Sequence, residues 1–177
     1  MNRQRIDALT VADEIARALK KGVLLTTKAG EKVNTMVIGW GHVGILWNRP
    51  VFVAYVRDSR YTWEMLNRDP EFTVNVPTHG LDPKVFAICG SRSGRDMDKI
   101  REAGLTLVDP EAVSVPAIRE CPLTLECRVL YRQVQRASEL PEAIRRQFYT
   151  LETGDHTAFY GEILSAYRLK DEAAEAH

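Results

Sequence analysis

The chain has 177 residues, 45% of them hydrophobic and 27% charged, with 24 Lys+Arg balanced by 24 Asp+Glu. That is the composition of one globular domain with room for a real core, here taken as residues 1–177. A formal net charge of zero argues against a chain built to coat nucleic acid or to lie on an anionic membrane. Cys89, Cys121 and Cys127 are odd in number and fit no zinc spacing, so reduced thiols and no metal are expected. The first residues, MNRQRIDALTVADEI, lack the apolar stretch of a secretion signal, and no apolar run is long enough to span a bilayer. A cytoplasmic protein is expected.

In chain order, Thr10 to Asp13 has the look of a capping box opening an N-terminal helix to about Lys21, closed by Gly22. Val23 to Thr27 predicts a strand, Lys28 to Glu31 a turn, and Val33 to Ile38 the return strand of a hairpin. Gly39 to Gly44 (GWGHVG) and a short apolar run to Trp47 lead through Asn48–Pro50 into a buried strand, Val51 to Val56. Then come a polar loop, a helix over 62–68, and an alternating strand over 71–76. A short helix is expected over 83–88, a Gly/Ser-rich loop over 89–94, and a helix over 95–103 closed by Gly104. Residues 105–119 are irregular. Leu123 to Val134 is a long strand, 141 to about 150 a helix, and 157–169 a last strand before a polar tail over 170–177. At least six strands joined mostly by turns, with no regular βαβ alternation, favour a mainly β domain: an antiparallel barrel or sandwich with flanking helices.

Between the strand ending at Val56 and the helix starting near Thr62 lie Arg57, Ser59, Arg60 and Thr62. Guanidinium forks, hydroxyls and helix N-terminal amides are what hold a phosphate, although a solvated turn with Arg57 paired to Asp58 would use the same residues. Two motif matches fail on context. Gly39 to Gly44 fits G-x-G-x-x-G but is followed by another strand, so no helix can deliver its amides to a dinucleotide pyrophosphate. Cys89 and Arg95 have the C-x5-R spacing of a cysteine phosphatase, but no buried strand precedes the thiol and Asp96 follows where a hydroxyl is usual.

Five segments agree with one family pattern: N-T-M-x-I-G-W-G from Asn34, P-V-F-x-x-Y-V-R-x-S-R-Y-T from Pro50, F-T-V-N from Phe72, C-G-x-x-S-G-R-D-x-D-K from Cys89, and a weaker H-x-x-x-x-G-E from His156. From about Gly22 to Tyr167 the sequence resembles the flavin reductase-like family of FMN-binding split-barrel proteins, and within it the flavoredoxin type. The resemblance implies a six-stranded antiparallel split β-barrel, working as a homodimer. It also implies that FMN is held by Asn34, Thr35, Met36, Trp40, Val56, Arg57, Ser59, Arg60, Tyr61, Thr62, Asn75, Val76, Cys89, Gly90, Ser93, Gly94, Arg95 and Lys99. Arg57, Ser59, Arg60 and Thr62 would clamp the phosphate, and the Cys89–Arg95 loop with Lys99 would close over the flavin. His156 would help place a nicotinamide or the reacting edge of the ring. The implied activity takes electrons from NADH or NADPH through flavin to free flavin or another acceptor; the alternative is a non-catalytic electron carrier for a redox protein partner. Thr78 to Leu81 and Val108 to Cys121 match nothing in the pattern.

Overall fold

The computed structural model describes residues 2–149 and 154–170; the expected helix end at Thr150 and most of the polar tail lie outside them. Strands β1 (Asn2–Arg5), β2 (Val23–Ala29), β3 (Lys32–Ile38), β4 (Gly41–Leu46), β5 (Arg49–Arg57), β6 (Glu71–Val76), β7 (Leu107–Val108), β8 (Ala117–Ile118), β9 (Leu123–Gln135) and β10 (His156–Lys170) alternate with helices α1 (Ala12–Leu19), α2 (Tyr61–Arg68), α3 (Pro83–Ser91), α4 (Lys99–Ala103) and α5 (Glu142–Phe148). The main sheet is antiparallel, in the order β3-β2-β6-β9-β10-β5-β4, and β1 adds to β10.

The sheet curls on itself. β6 and β5 are three positions apart in the strand order, yet Phe72 and Phe52 meet edge-on with ring centroids 6.3 Å apart. One face of every long strand feeds this interior: Val23 and Leu25, Ile38, Phe52 and Ala54, Val74 and Val76, Leu125 and Cys127, Phe159 and Ile163. The curl needs a close approach at Gly161, where a Cβ would stand 2.5 Å from the Phe72 ring, and β10 shifts register against β9 just there. β3 and β4, the two ends of the strand order, are joined through Gly39 and Trp40 without a ladder between them. Helix α1 covers this seam and drives Ile15 and Leu19 into the core. A smaller outer layer, with Val85 and Cys89 of α3, Ala103 of α4, Ile118 and Cys121, packs on Leu24 of β2.

The mostly antiparallel barrel with flanking helices is as the sequence implies; β1 and β4 of the main sheet and the short β7–β8 pair are added to the six strands read there. β4 and β5 form a hairpin whose two turn residues, Trp47 and Asn48, have φ of 52° and 56°. Both central residues of a type I′ turn need this conformation, which Trp rarely adopts, so the hairpin was hidden. Asp7, rather than Thr10, supplies the cap at the start: its carboxylate accepts from Leu9 N at 2.9 Å. The helix expected over 95–103 covers only Lys99–Ala103, because Asp98 caps it by accepting from Arg101 N at 3.1 Å. α3 instead runs on to Ser91 and takes Cys89 and Gly90 into its last turn.

Candidate functional site

Two adjoining cavities open on the outside of the barrel, beside β3, the N-terminus of α2 and the C-terminus of α3. The first encloses about 90 Å³ and is lined by Asn34, Met36, Ser59, Arg60, Tyr61, Thr62, Lys99 and the segment from Cys89 to Arg95. The second, about 190 Å³, is lined by Met36 to Trp40, Tyr55, Arg57, Arg60 and His156. Met36 and Arg60 belong to both. A larger groove of about 360 Å³ between α1 and residues 77–80 holds none of the motif residues.

The first cavity is electropositive. Lys99 is buried, at 4% exposure, and its ammonium donates to the carbonyls of Cys89 and Arg92, both at 3.3 Å. Among the described residues it has no carboxylate partner. Burial pulls its pKa down to about 8; the Cys89 side chain opposes that shift and Arg60 adds to it. The same burial pushes the Cys89 thiol up, the reverse of what a phosphatase nucleophile needs. Arg95 is engaged elsewhere: it pairs with Glu64, donates to the carbonyl of Ser59 at 3.3 Å and lies over the Tyr61 ring at 5.4 Å. It therefore straps the 92–98 segment to α2, and the C-x5-R spacing has no phosphatase geometry behind it.

Asn34 sits on the floor of this cavity. Its amide donates to Thr62 Oγ1 at 3.0 Å, while its carbonyl oxygen is buried without a hydrogen-bond donor. Gly94 crosses directly above, where a Cβ would stand 2.1 Å from that oxygen and 3.2 Å from the Tyr61 ring. An unpaired buried carbonyl costs about 1–3 kcal/mol, a cost that a ligand donor reaching it would recover.

The second cavity has aromatic walls. The His156 ring lies 4.8 Å from Trp40 and 5.3 Å from Tyr149, and its Nδ1 is 2.8 Å from the Tyr149 hydroxyl. Burial, then the Arg57 guanidinium, lower its pKa to about 4, with Asp58 and Asp155 opposing and Arg60 adding to the fall. His156 is therefore neutral at pH 7. Arg57 donates to the carbonyl of Phe148 at 2.8 Å and lies 5.4 Å from the Tyr149 ring centre.

The expected phosphate clamp is thus divided. Ser59, Arg60 and Thr62 face the first cavity with Lys99, and Arg57 turns to the second. Four expected residues line neither. The side chains of Val56 and Val76 are buried in the barrel core, because strand alternation points them inward. Thr35 and Asn75 belong to a buried polar row under the 105–119 segment. There the Asn75 amide donates to Thr26 Oγ1 at 3.1 Å and to Thr73 Oγ1 at 3.0 Å, and its carbonyl accepts from Ile118 N at 3.0 Å. Thr35 bonds Thr26 at 3.0 Å. Tyr55, Phe148 and Tyr149 were missed. Tyr55 lies inside a quoted motif, so its alternation with Val56 could have exposed it. Phe148 and Tyr149 carry no motif, and the β9–β10 pairing is what brings them near His156.

Residues 16–176 match the family model for the flavin reductase like domain, and the chain belongs to that family. It is 36% identical over 134 residues, 76% of its length, to an uncharacterized protein of Archaeoglobus fulgidus, of which it spans only 64%. Its fold is similar to the flavoredoxin of Methanosarcina acetivorans, with TM-score 0.65 and 30% identity over 85% of this chain and 69% of the other. It is also similar in fold to an FMN-binding domain of a flavin reductases-like enzyme from Shewanella baltica, with TM-score 0.64 and 18% identity over 94% of this chain and 77% of that one.

Proposed function

We propose that the paired cavities bind FMN and that the chain passes electrons from NADH or NADPH through the flavin to free flavin or another acceptor. The observation that carries this is the buried Lys99 beside Arg60, a pair of cations with two hydroxyls and, among the described residues, no carboxylate on Lys99. Such a set fits a phosphate, and a phosphate dianion offsets the cost of holding the ammonium out of water. Asn34 Oδ1, an unpaired acceptor on the floor of the same cavity, fits a hydroxyl donor of a ribityl chain. Met36 and Trp40 offer apolar and aromatic surface for a flat ring, and His156 stands at the far wall.

When bound, FMN supplies the redox chemistry, accepting hydride and releasing electrons singly or in pairs. The chain's residues bind and orient. Lys99, Arg60, Ser59 and Thr62 would hold the phosphate. Asn34 would fix the chain between phosphate and ring. The Arg95–Glu64 pair would keep the Gly94 segment closed and exclude water. His156, neutral at pH 7, adds no further positive charge to the ring end.

The proposal extends to a single domain acting as a cytoplasmic homodimer. β9 beyond Cys127 is exposed along most of both faces, and no residue of α5 is buried. A seven-residue helix does not hold itself together in water. Leu130, Tyr131, Val134, Ile144 and Phe148 are exposed on this arm, with Trp40 and Trp47 nearby in the fold. A second copy laid against it would bury these side chains, and because Phe148 packs on Trp40 that contact would fall beside the second cavity.

The flavoredoxin likeness favours a second reading: an FMN-bound carrier that trades electrons with a protein partner and has no nicotinamide site. Anaerobic addition of NADH or NADPH to the FMN-loaded protein separates the two. Bleaching of the flavin band within seconds supports the reductase. A flavin that dithionite bleaches and neither nucleotide does supports the carrier.

A further inference from the structure

The contact between His156 Nδ1 and the Tyr149 hydroxyl has no role in the binding just described. Tyr149 is held firmly for a residue at a helix end. Its backbone N donates to Arg145 O at 2.8 Å, its ring lies under the Arg57 guanidinium, and its hydroxyl reaches His156 at 2.8 Å and Gln135 Oε1 at 3.4 Å. The Gln135 contact, to which the phenol could also donate, is long, so the phenol proton is available to Nδ1 at 2.8 Å, where an imidazole lone pair is a better acceptor than an amide oxygen. His156 is 5% exposed and its ring packs against both Trp40 and Tyr149, so it cannot readily turn over.

We infer that Tyr149 is a positioning residue: by donating to Nδ1 it fixes His156 as the Nε2–H tautomer, so that the second cavity presents a neutral N–H donor, beside Arg57 and Arg60, to a ring carbonyl of a flat heteroaromatic ligand. The inference rests on the proposed function only for the ligand's identity. The charged groups that face the imidazole are Arg57 from β5, Asp58 and Arg60 from the following loop, and Asp155 from the segment before β10; burial and the arginines outweigh the two carboxylates. A ring kept neutral offers a hydrogen bond without a third cation. The same chemistry suits a flavin pyrimidine carbonyl and a nicotinamide carboxamide.

The test begins on the full chain without flavin. Long-range proton–nitrogen NMR of the imidazole at pH 7 should show Nε2 protonated and Nδ1 bare. In Tyr149→Phe the ring should relax toward a mixture of tautomers, and its pKa should rise from about 4. Binding then tells the two ligands apart. If the donor meets the flavin, Tyr149→Phe weakens FMN and riboflavin equally, by about two- to tenfold. If it meets the nicotinamide, flavin affinity stays and KM for NADH rises by a similar factor. A wild-type ring protonated on Nδ1 would overturn the inference. So would a Tyr149→Phe variant with an unchanged tautomer, or one with unchanged FMN, riboflavin and NADH parameters. The wild-type spectrum decides the tautomer even if the variant fails to fold, and it does so whether or not the chain binds flavin.

Discussion

The buried lysine makes FMN affinity depend on pH in a way that no surface lysine would. In the free protein Lys99 has its pKa drawn down from 10.5 to about 8, chiefly by burial. Its charge is therefore intact at pH 7, and at pH 9.5 only about 3% of free chains still carry it. A phosphate dianion beside the ammonium favours the charged form. If it restores the ordinary value of 10.5, about 90% of complexes carry the charge at pH 9.5. The sign follows: binding takes up a proton, so affinity falls as pH rises through the free-protein value. The fall from pH 7 to 9.5 comes to about thirtyfold, or about 2 kcal/mol. Near pH 8.5 each FMN bound should draw about 0.7 proton from the buffer. Calorimetric titration in buffers of different ionisation enthalpy measures both quantities. Lys99→Arg keeps a charge that does not titrate in this range and should give a flat profile; riboflavin, with no phosphate, should also give a flat profile. Wild-type FMN affinity independent of pH, or the same slope for riboflavin, would refute the assignment of Lys99 to the phosphate.

Three further outcomes are expected. Gly94→Ala puts a methyl group 2.1 Å from Asn34 Oδ1, so the strap must lift and FMN retention on gel filtration should drop at least tenfold, with the melting temperature changed by only a few degrees. Cys89→Ser should keep bound flavin and most turnover, because the thiol is buried, its pKa is raised and hydride transfer consumes no thiolate; a variant that holds FMN but has lost all turnover would reopen thiol chemistry. Light scattering should find a dimer, and Phe148→Ser together with Leu130→Ser should yield monomers that lose flavin, whereas a monomeric wild type holding stoichiometric FMN would show the site complete in one chain.

What the sequence made legible follows from how local each signal is. Arg60, Ser59 and Thr62 could be placed because a strand end, a short loop and a helix start fix their neighbourhood within six residues. The strap from Cys89 to Lys99 was legible as a segment, but its helix boundaries were not: Asp98 caps by a single side-chain hydrogen bond that competes with an apolar pattern beginning earlier. Asn75 and Thr35 entered the expected site only through the family resemblance, and neither lines a cavity. Asn75 faces a protein layer supplied by residues 105–119, a segment with no periodicity to announce it. Tyr149 was out of reach altogether. It meets His156 only through the pairing of β9 with β10 and the fold of the helix between them, and neither leaves a spacing signature. The arm of β9 and α5 is another such case: its sequence reads as an ordinary strand and helix, and only the fold shows that the main body of this chain leaves it uncovered.

The central claim, that the cavity beside α2 and α3 is a phosphate site for FMN, is tested most directly by titrating the flavin-free protein with FMN and with riboflavin at pH 7 and following flavin fluorescence. Charge-assisted contacts of about 1.5–3 kcal/mol each from Arg60 and Lys99 predict one FMN per chain, bound at least tenfold more tightly than riboflavin, and an advantage largely lost in Arg60→Ala. Equal affinities for the two flavins, or an FMN preference that survives Arg60→Ala and a neutral residue at position 99 together, would contradict it.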